Sequence, residues 1–234
     1  MLGLQLSFAE VRSSTNYQLQ SDSINFGGGL SSSTNYVQES TGGEIGIGDA
    51  GSTNYQLRAG YQQMQEVYIA LSTPGDVILS PSLAGLTGGT SNGSTTVTVT
   101  TDSPSGYSLI LKSQNDPAMQ SGAYTIADYN EGADADYSFA VTGGIAHLGF
   151  SPAGSDITQF FKDNGSLCGL GTLDTNLACW AGLSTVGNTI SEGVGSNHPD
   201  GATTTINFRV GIGSGANVVT GLYTATSTLT ALPL

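Results

Sequence analysis

The chain has 234 residues, only 10% of them Asp, Glu, Lys or Arg, and its 18 acidic against 5 basic residues leave a formal net charge of −13. So acidic a surface repels phosphate backbones and anionic headgroups, which argues against nucleic acid and the membrane surface as partners. With 34 glycines and a polar surface built mostly from Ser, Thr and Asn, the composition is one common outside the cell, and its 38% of hydrophobic residues fall in the ordered alternations of a folded chain.

Residues 1–9, MLGLQLSFA, read as the remnant of a secretory signal. Ser7 and Ala9 put small side chains at positions −3 and −1 of a cut before Glu10, although no positively charged segment precedes the apolar run. The other reading is an ordinary first strand. No other stretch approaches the roughly 18 apolar residues of a membrane span, so no transmembrane segment is expected.

Between residues 10 and 65 one phrase occurs three times: SSTNYQLQ (13–20), SSTNYVQ (32–38) and STNYQLR (52–58). Tyr17, Tyr36 and Tyr55 are 19 residues apart, and a fixed period marks a repeated supersecondary unit. Each unit is expected as a β-hairpin or strand–turn–strand, with a β-leaning run leading into a Gly-rich turn, as in INFGGG (24–29). Ser-Ser-Thr-Asn is then the turn that hands over to the next unit, with Tyr17, Leu19, Tyr36, Tyr55 and Leu57 as the residues that pack the repeats. Three such units hold few apolar side chains and need another surface to lean on, either their own domain's or a neighbouring subunit's.

From Glu66 to Leu234 the texture is that of a β-sandwich. EVYIAL (66–71) and DVILS (76–80) are short apolar strands. TTVTVTT (95–101) and YSLILKS (107–113), joined by DSPSG, give the strongest hairpin signal in the chain. DYSFAVTG (136–143), TTTINFRVGIG (203–213) and GLYTATSTLTAL (221–232) alternate in the same way. The one helical hint is DITQFFKDNG (156–165), where Ile157, Phe160 and Phe161 recur at helical spacing behind Asp156 as an N-cap, for two turns at most. The expected fold is therefore all-β: an antiparallel β-sandwich, immunoglobulin-like in kind, preceded by short β repeats, with at most one short helix.

Cys168 and Cys179 bound a short loop within an insertion that also holds Trp180. Two thiols are too few ligands for a zinc site, and in an oxidising compartment they are expected as a disulfide. The densest acidic stretch, DYNEGADAD (128–136), offers Asp128, Asn130, Glu131, Asp134 and Asp136 in a Gly-containing loop. These are the oxygen types calcium takes, though not at EF-hand spacing; the plainer reading is a solvated acidic loop. Calcium is the only cofactor the residues suggest.

GTSNG (89–93) matches the G-x-S-x-G nucleophile elbow, but a strand rather than a helix follows, so Ser91 is assigned to an ordinary Asn-Gly turn. GIGDAG (46–51) and GIGSGA (211–216) match G-x-G-x-x-G/A without the strand–helix setting that dinucleotide binding requires. His147 and His198, the only histidines, are read as structural or solvent-facing. No acid, base and nucleophile come together, so no catalytic residues and no enzymatic activity are expected.

The STNY repeats, the insertion with its two cysteines and Trp180, and the closing GLYTATSTLTALPL together resemble secreted proteins of small-genome candidate-phylum bacteria, in which SSxNYxL repeats lead into a Thr-rich β-sandwich. The resemblance covers nearly the whole chain. It implies secretion and a place at the cell surface, and no activity. The expected function is a structural cell-surface protein: a self-assembling subunit of an extracellular filament or envelope layer, with copies of itself as partners and the repeats adding strands to a neighbour. The alternative is a monomeric adhesion module for cell-surface glycans or a host surface, marked by exposed aromatics in a cleft.

Overall fold

The computed structural model of the chain describes residues 12–13, 18–19, 27–34, 37–43, 48–51, 56–59 and 67–234. The chain divides into two compact units, Met1–Glu66 and Val67–Leu234.

Among its described residues the first unit contains three antiparallel pairs. Arg12–Ser13 (β1) pairs with Gln18–Leu19 (β2), Gly27–Ser32 (β3) with Val37–Gly42 (β4), and Gly48–Gly51 (β5) with Gln56–Ala59 (β6). The innermost pairs, Ser13 with Gln18, Ser32 with Val37 and Gly51 with Gln56, recur at the sequence period. STNY therefore joins the two strands of each hairpin instead of handing over to the next, which revises the reading from sequence. The glycines of INFGGG are also not a turn: Gly27 to Gly29 lie within β3, and Gly28 holds φ at +133°, a conformation open to glycine. Tyr17, Tyr36 and Tyr55 lie outside the described residues, as do the side chains of Leu19 and Leu57, whose backbones belong to β2 and β6.

The second unit is a two-layer sandwich, nearly all β. Its strands are Ile69–Leu71 (β7), Gly89–Thr101 (β8), Tyr107–Ser113 (β9), Met119–Ser121 (β10), Tyr124–Asp128 (β11), Ala146–Ala153 (β12), Ala181–Gly182 (β13), Asn188–Gly193 (β14), Ala202–Ile212 (β15), Thr224–Ala225 (β16) and Ser227–Pro233 (β17). One layer is an eight-stranded sheet in the order β16-β10-β11-β12-β15-β8-β7, with β13 also paired to β12; the other is the three-stranded sheet β14-β9-β17. All pairs are antiparallel except β11 with β12. Val97, Val99, Leu148, Phe150 and Ile206 of the large sheet share one core with Tyr107, Leu109, Leu111 and Ile190 of the small one. Among the described residues no helix is long and apolar enough to cross a membrane.

The expected hairpin 95–113 is instead a corner between the layers. Its alternation was read correctly, since Val97 and Val99 are buried, as are Tyr107, Leu109 and Leu111. Period-2 patterning, however, does not say which strand lies alongside. β8 pairs along the length of β15 and β9 runs between β14 and β17, so the two face each other across the core. Gly106, at φ +93°, lets the corner close on the backbone of Gly193, where an added Cβ would overlap the carbonyl oxygen. The corner also holds both ends of the unit. The Asp102 carboxylate accepts the Tyr68 amide at 2.6 Å and the Thr101 hydroxyl donates to the Tyr68 carbonyl at 2.8 Å. The Ser103 hydroxyl donates to the Leu234 carbonyl at 2.8 Å, and the Leu234 amide to the Gly106 carbonyl at 3.0 Å.

Other expectations are corrected by the same tertiary logic. GLYTATSTLTAL is not one strand: β16 lies in the large sheet and β17 in the small one, and the chain crosses at Thr226. DYSFAVTG alternates in exposure but forms no ladder beyond a bridge from Asp136 to Trp180. Its side chains lie on bare strand glycines, where a Cβ on Gly149 or on Gly211 would come within 2.8 Å or 2.7 Å of the Phe139 ring. DITQFFKDNG supplies only a 3₁₀ turn, Gln159–Phe161, whose N-cap position is Thr158, without a side-chain cap bond, and not Asp156. The Thr158 amide and hydroxyl are already committed to the Ile190 and Thr189 carbonyls, which holds the backbone extended up to that point.

Candidate functional site

Three strands cannot cover a sheet of eight. Where the small sheet stops, the inner face of the large one is roofed by irregular chain: residues 72–88, and residues 213–226 apart from β16. DVILS belongs to this roof and is not a strand. Pro74, Gly75 and Pro81 break the run, and between Leu71 and the isolated Ser80–Asn92 bridge no ladder forms on the edge of β8. The alternation survives without the hydrogen bonds. Val77 and Leu79 turn inward against Gly93, where a Cβ would meet Val77 at 2.6 Å, while Ile78 points into solvent.

Beneath the roof lies an apolar cavity of about 530 Å³. Leu111, Leu148 and Ile206 of the core form its floor, and its walls include Val77 and Leu79 on one side and Leu222 and Tyr223 on the other. A second space of about 300 Å³ borders the first along Leu79, Met119 and Tyr223 and reaches Ser91. Asp76 is the only charged residue lining the first, and none lines the second. The first, lined mainly by apolar side chains, has the size and lining of a pocket that takes apolar groups. Ser91 sits within β8, opposite Val210, and not in an Asn-Gly turn; its hydroxyl is buried without a hydrogen-bond partner among the described residues.

The acidic stretch 128–136 is drawn into separate structural contacts. The Asp128 Oδ2 accepts the Ala118 amide at 3.0 Å, Glu131 accepts the Gly182 amide at 2.9 Å, and Asp136 accepts the Tyr129 hydroxyl at 2.8 Å. Asp134 stands beside Gly169. Asn130 is exposed. Among the described residues no three His, Cys, Asp or Glu side chains gather as a metal would need.

Burial pushes the Asp128 carboxyl up to about 6; the Ala118 amide pulls it down in part and the charge of Asp116 adds to the rise. A raised acid favours the folded state while it keeps its proton. As pH climbs from about 4, where the unfolded chain ionises, the folded chain is progressively destabilised until its own carboxyl has ionised. Asp128→Asn is expected to raise the melting temperature at neutral pH and to flatten its decline between about 4 and about 6. A parallel pH profile for the two proteins would refute this.

Two centres of the insertion were not legible as such. Asp163 has no accessible surface. It accepts the Gly165 amide at 2.7 Å and both the amide and the hydroxyl of Thr175 at 3.0 Å, while its backbone exchanges two bonds with Leu173. Burial alone would raise this carboxyl, but the three donors outweigh it and hold it below the usual carboxylate range. The signal available in sequence was Asp-Asn-Gly-Ser, a turn former read as the end of a helix. Cys168 and Cys179 are joined in a disulfide, their Cα atoms 5.6 Å apart.

The second centre is Trp180. It is fully buried, with its indole donating to the Leu177 carbonyl at 2.8 Å and the Arg209 guanidinium lying 4.3 Å from the ring centroid. Phe139 bridges Trp180 to Tyr129, so a cation–aromatic stack covers the outer face of β12 and β15. Burial lowers the basicity of Arg209. His147 lies on β12 with its ring edge-on to Tyr129, and His198 is edge-on to Tyr68. The chain matches no protein-family model, no curated protein and no solved structure.

Proposed function

We propose that the protein is a secreted structural subunit of the cell surface that assembles with copies of itself into a filament or layer. One observation carries this reading. The described strands of the first unit form three two-stranded sheets, each with both edges unpaired among the described residues, and every residue of β3 is exposed. A lone two-stranded hairpin is marginally stable in water and gains by adding to another sheet. A sheet edge that needs a partner is the usual means of strand addition between subunits. The disulfide fits an oxidising compartment.

Electron microscopy of the purified full chain tests the reading. Ordered polymers are expected, and they should disappear when residues 10–65 are deleted. A monodisperse full-length monomer at every concentration would overturn it.

A further inference from the structure

The cavity of about 530 Å³ plays no part in the strand addition proposed above. Its floor is preformed, since Leu111, Leu148 and Ile206 belong to β9, β12 and β15 and to the common core. Met119, also in the lining, is unbranched and can reshape around a guest. The rim reaches water: among the lining residues Leu222 is 83% exposed, and Asp76 is exposed as well. An apolar interior with a wet, charged rim suits an amphiphile, its chain inside and its polar head in solvent.

Charge selects the head. The sandwich unit carries three cations, Lys112, Lys162 and Arg209, and none of them lines the cavity. Lys112 follows Leu111 on β9 and so faces the other way, Lys162 closes the 3₁₀ turn, and Arg209 is stacked on Trp180 at the outer face of the large sheet. A carboxylate or phosphate head would therefore sit beside Asp76 without a counter-charge, on a chain of net charge −13. A cationic head is attracted by both. We infer that the cavity binds a single-chain cationic amphiphile, with the alkyl chain between roof and floor and the ammonium beside the Asp76 carboxylate. The site is independent of self-assembly, so either can fail alone.

Calorimetric titration of the full chain at low ionic strength tests the site, with decylamine, decanol and decanoate each kept below its micelle concentration. Decylamine is expected to saturate a single site and decanoate to bind at least about tenfold more weakly, because the same carboxylate attracts one head and repels the other. Asp76→Lys should reverse that order, which a diffuse attraction to an acidic surface could not do, since the other carboxylates stay in place. Ala225 pairs with Met119 and lines the cavity, so Ala225→Trp should weaken the binding of all three probes, uncharged decanol included. Both positions are exposed, and the melting temperatures of the ligand-free variants should stay at the wild-type value. No saturable binding of decylamine, or an order that Asp76→Lys leaves unchanged, overturns the inference. Binding that a folded Ala225→Trp chain retains in full places the probe elsewhere and overturns it as well.

Discussion

Trp180→Ala is expected to destabilise the sandwich by about 3–5 kcal/mol, the range for emptying a buried aromatic site. The side chain has no exposed surface and is held from three sides: Phe139 lies edge-on at 5.2 Å, Arg209 sits over the ring at 4.3 Å, and the Leu177 carbonyl takes the indole proton at 2.8 Å. Truncation leaves a cavity and takes from a half-buried guanidinium its nearest ring, leaving it the Asn92 amide oxygen and the more distant Phe139 ring. The effect should appear as a lower denaturant midpoint with an unchanged slope. Arg209→Met should cost clearly less, because it removes the charge and keeps most of the packing. Near-equal losses from the two substitutions would show that the cation, and not the ring, holds this face together.

Asp163→Ala is expected to cost about 3 kcal/mol by leaving two amides and a hydroxyl without their acceptor. Its neighbours Asn164 to Leu167 are exposed, so the site is shielded but close to solvent, and the cost stays below that of a deep-core charge. The pH dependence has a definite sign. A carboxyl whose folded value is depressed contributes its stability above the unfolded value of about 4, and that contribution is lost as pH falls through the folded value. Wild type should therefore lose stability on acidification more steeply than Asp163→Ala in that range, the opposite trend to the one set by Asp128. Curves for the two proteins that stay parallel below about 4 would contradict the role given to this carboxylate.

The local pattern of the second unit was largely readable and its partnering was not. Alternation in 95–101 and 107–113 identified which side chains are buried, but whether two such strands lie side by side or face to face is decided by their longer partners, β15 for one and β14 and β17 for the other. DVILS and DYSFAVTG misled for a related reason: alternation reports burial, and a run can alternate against a bare glycine surface with no ladder at all. In the first unit the 19-residue period was plain in sequence. Its phase was not, because STNY suits a turn within a hairpin as well as one between hairpins. The disulfide followed from spacing and composition. The apolar cavity had no sequence signature, since it arises from a mismatch in the widths of two sheets. Asp163 was hidden because its partners, Gly165 and Thr175, meet it only once the loop has closed.

The corner at Thr101 to Gly106 gathers Tyr68 from one end of the sandwich unit and Leu234 from the other. Tension applied across these two ends would run through that corner before reaching the core. Once its few bonds gave way, β7 would peel from β8 starting at Ile69 and β17 from β9 starting at Pro233, each ladder opening one rung at a time instead of shearing as a whole. Such a unit would yield early and in small steps while the layers behind the corner stayed packed.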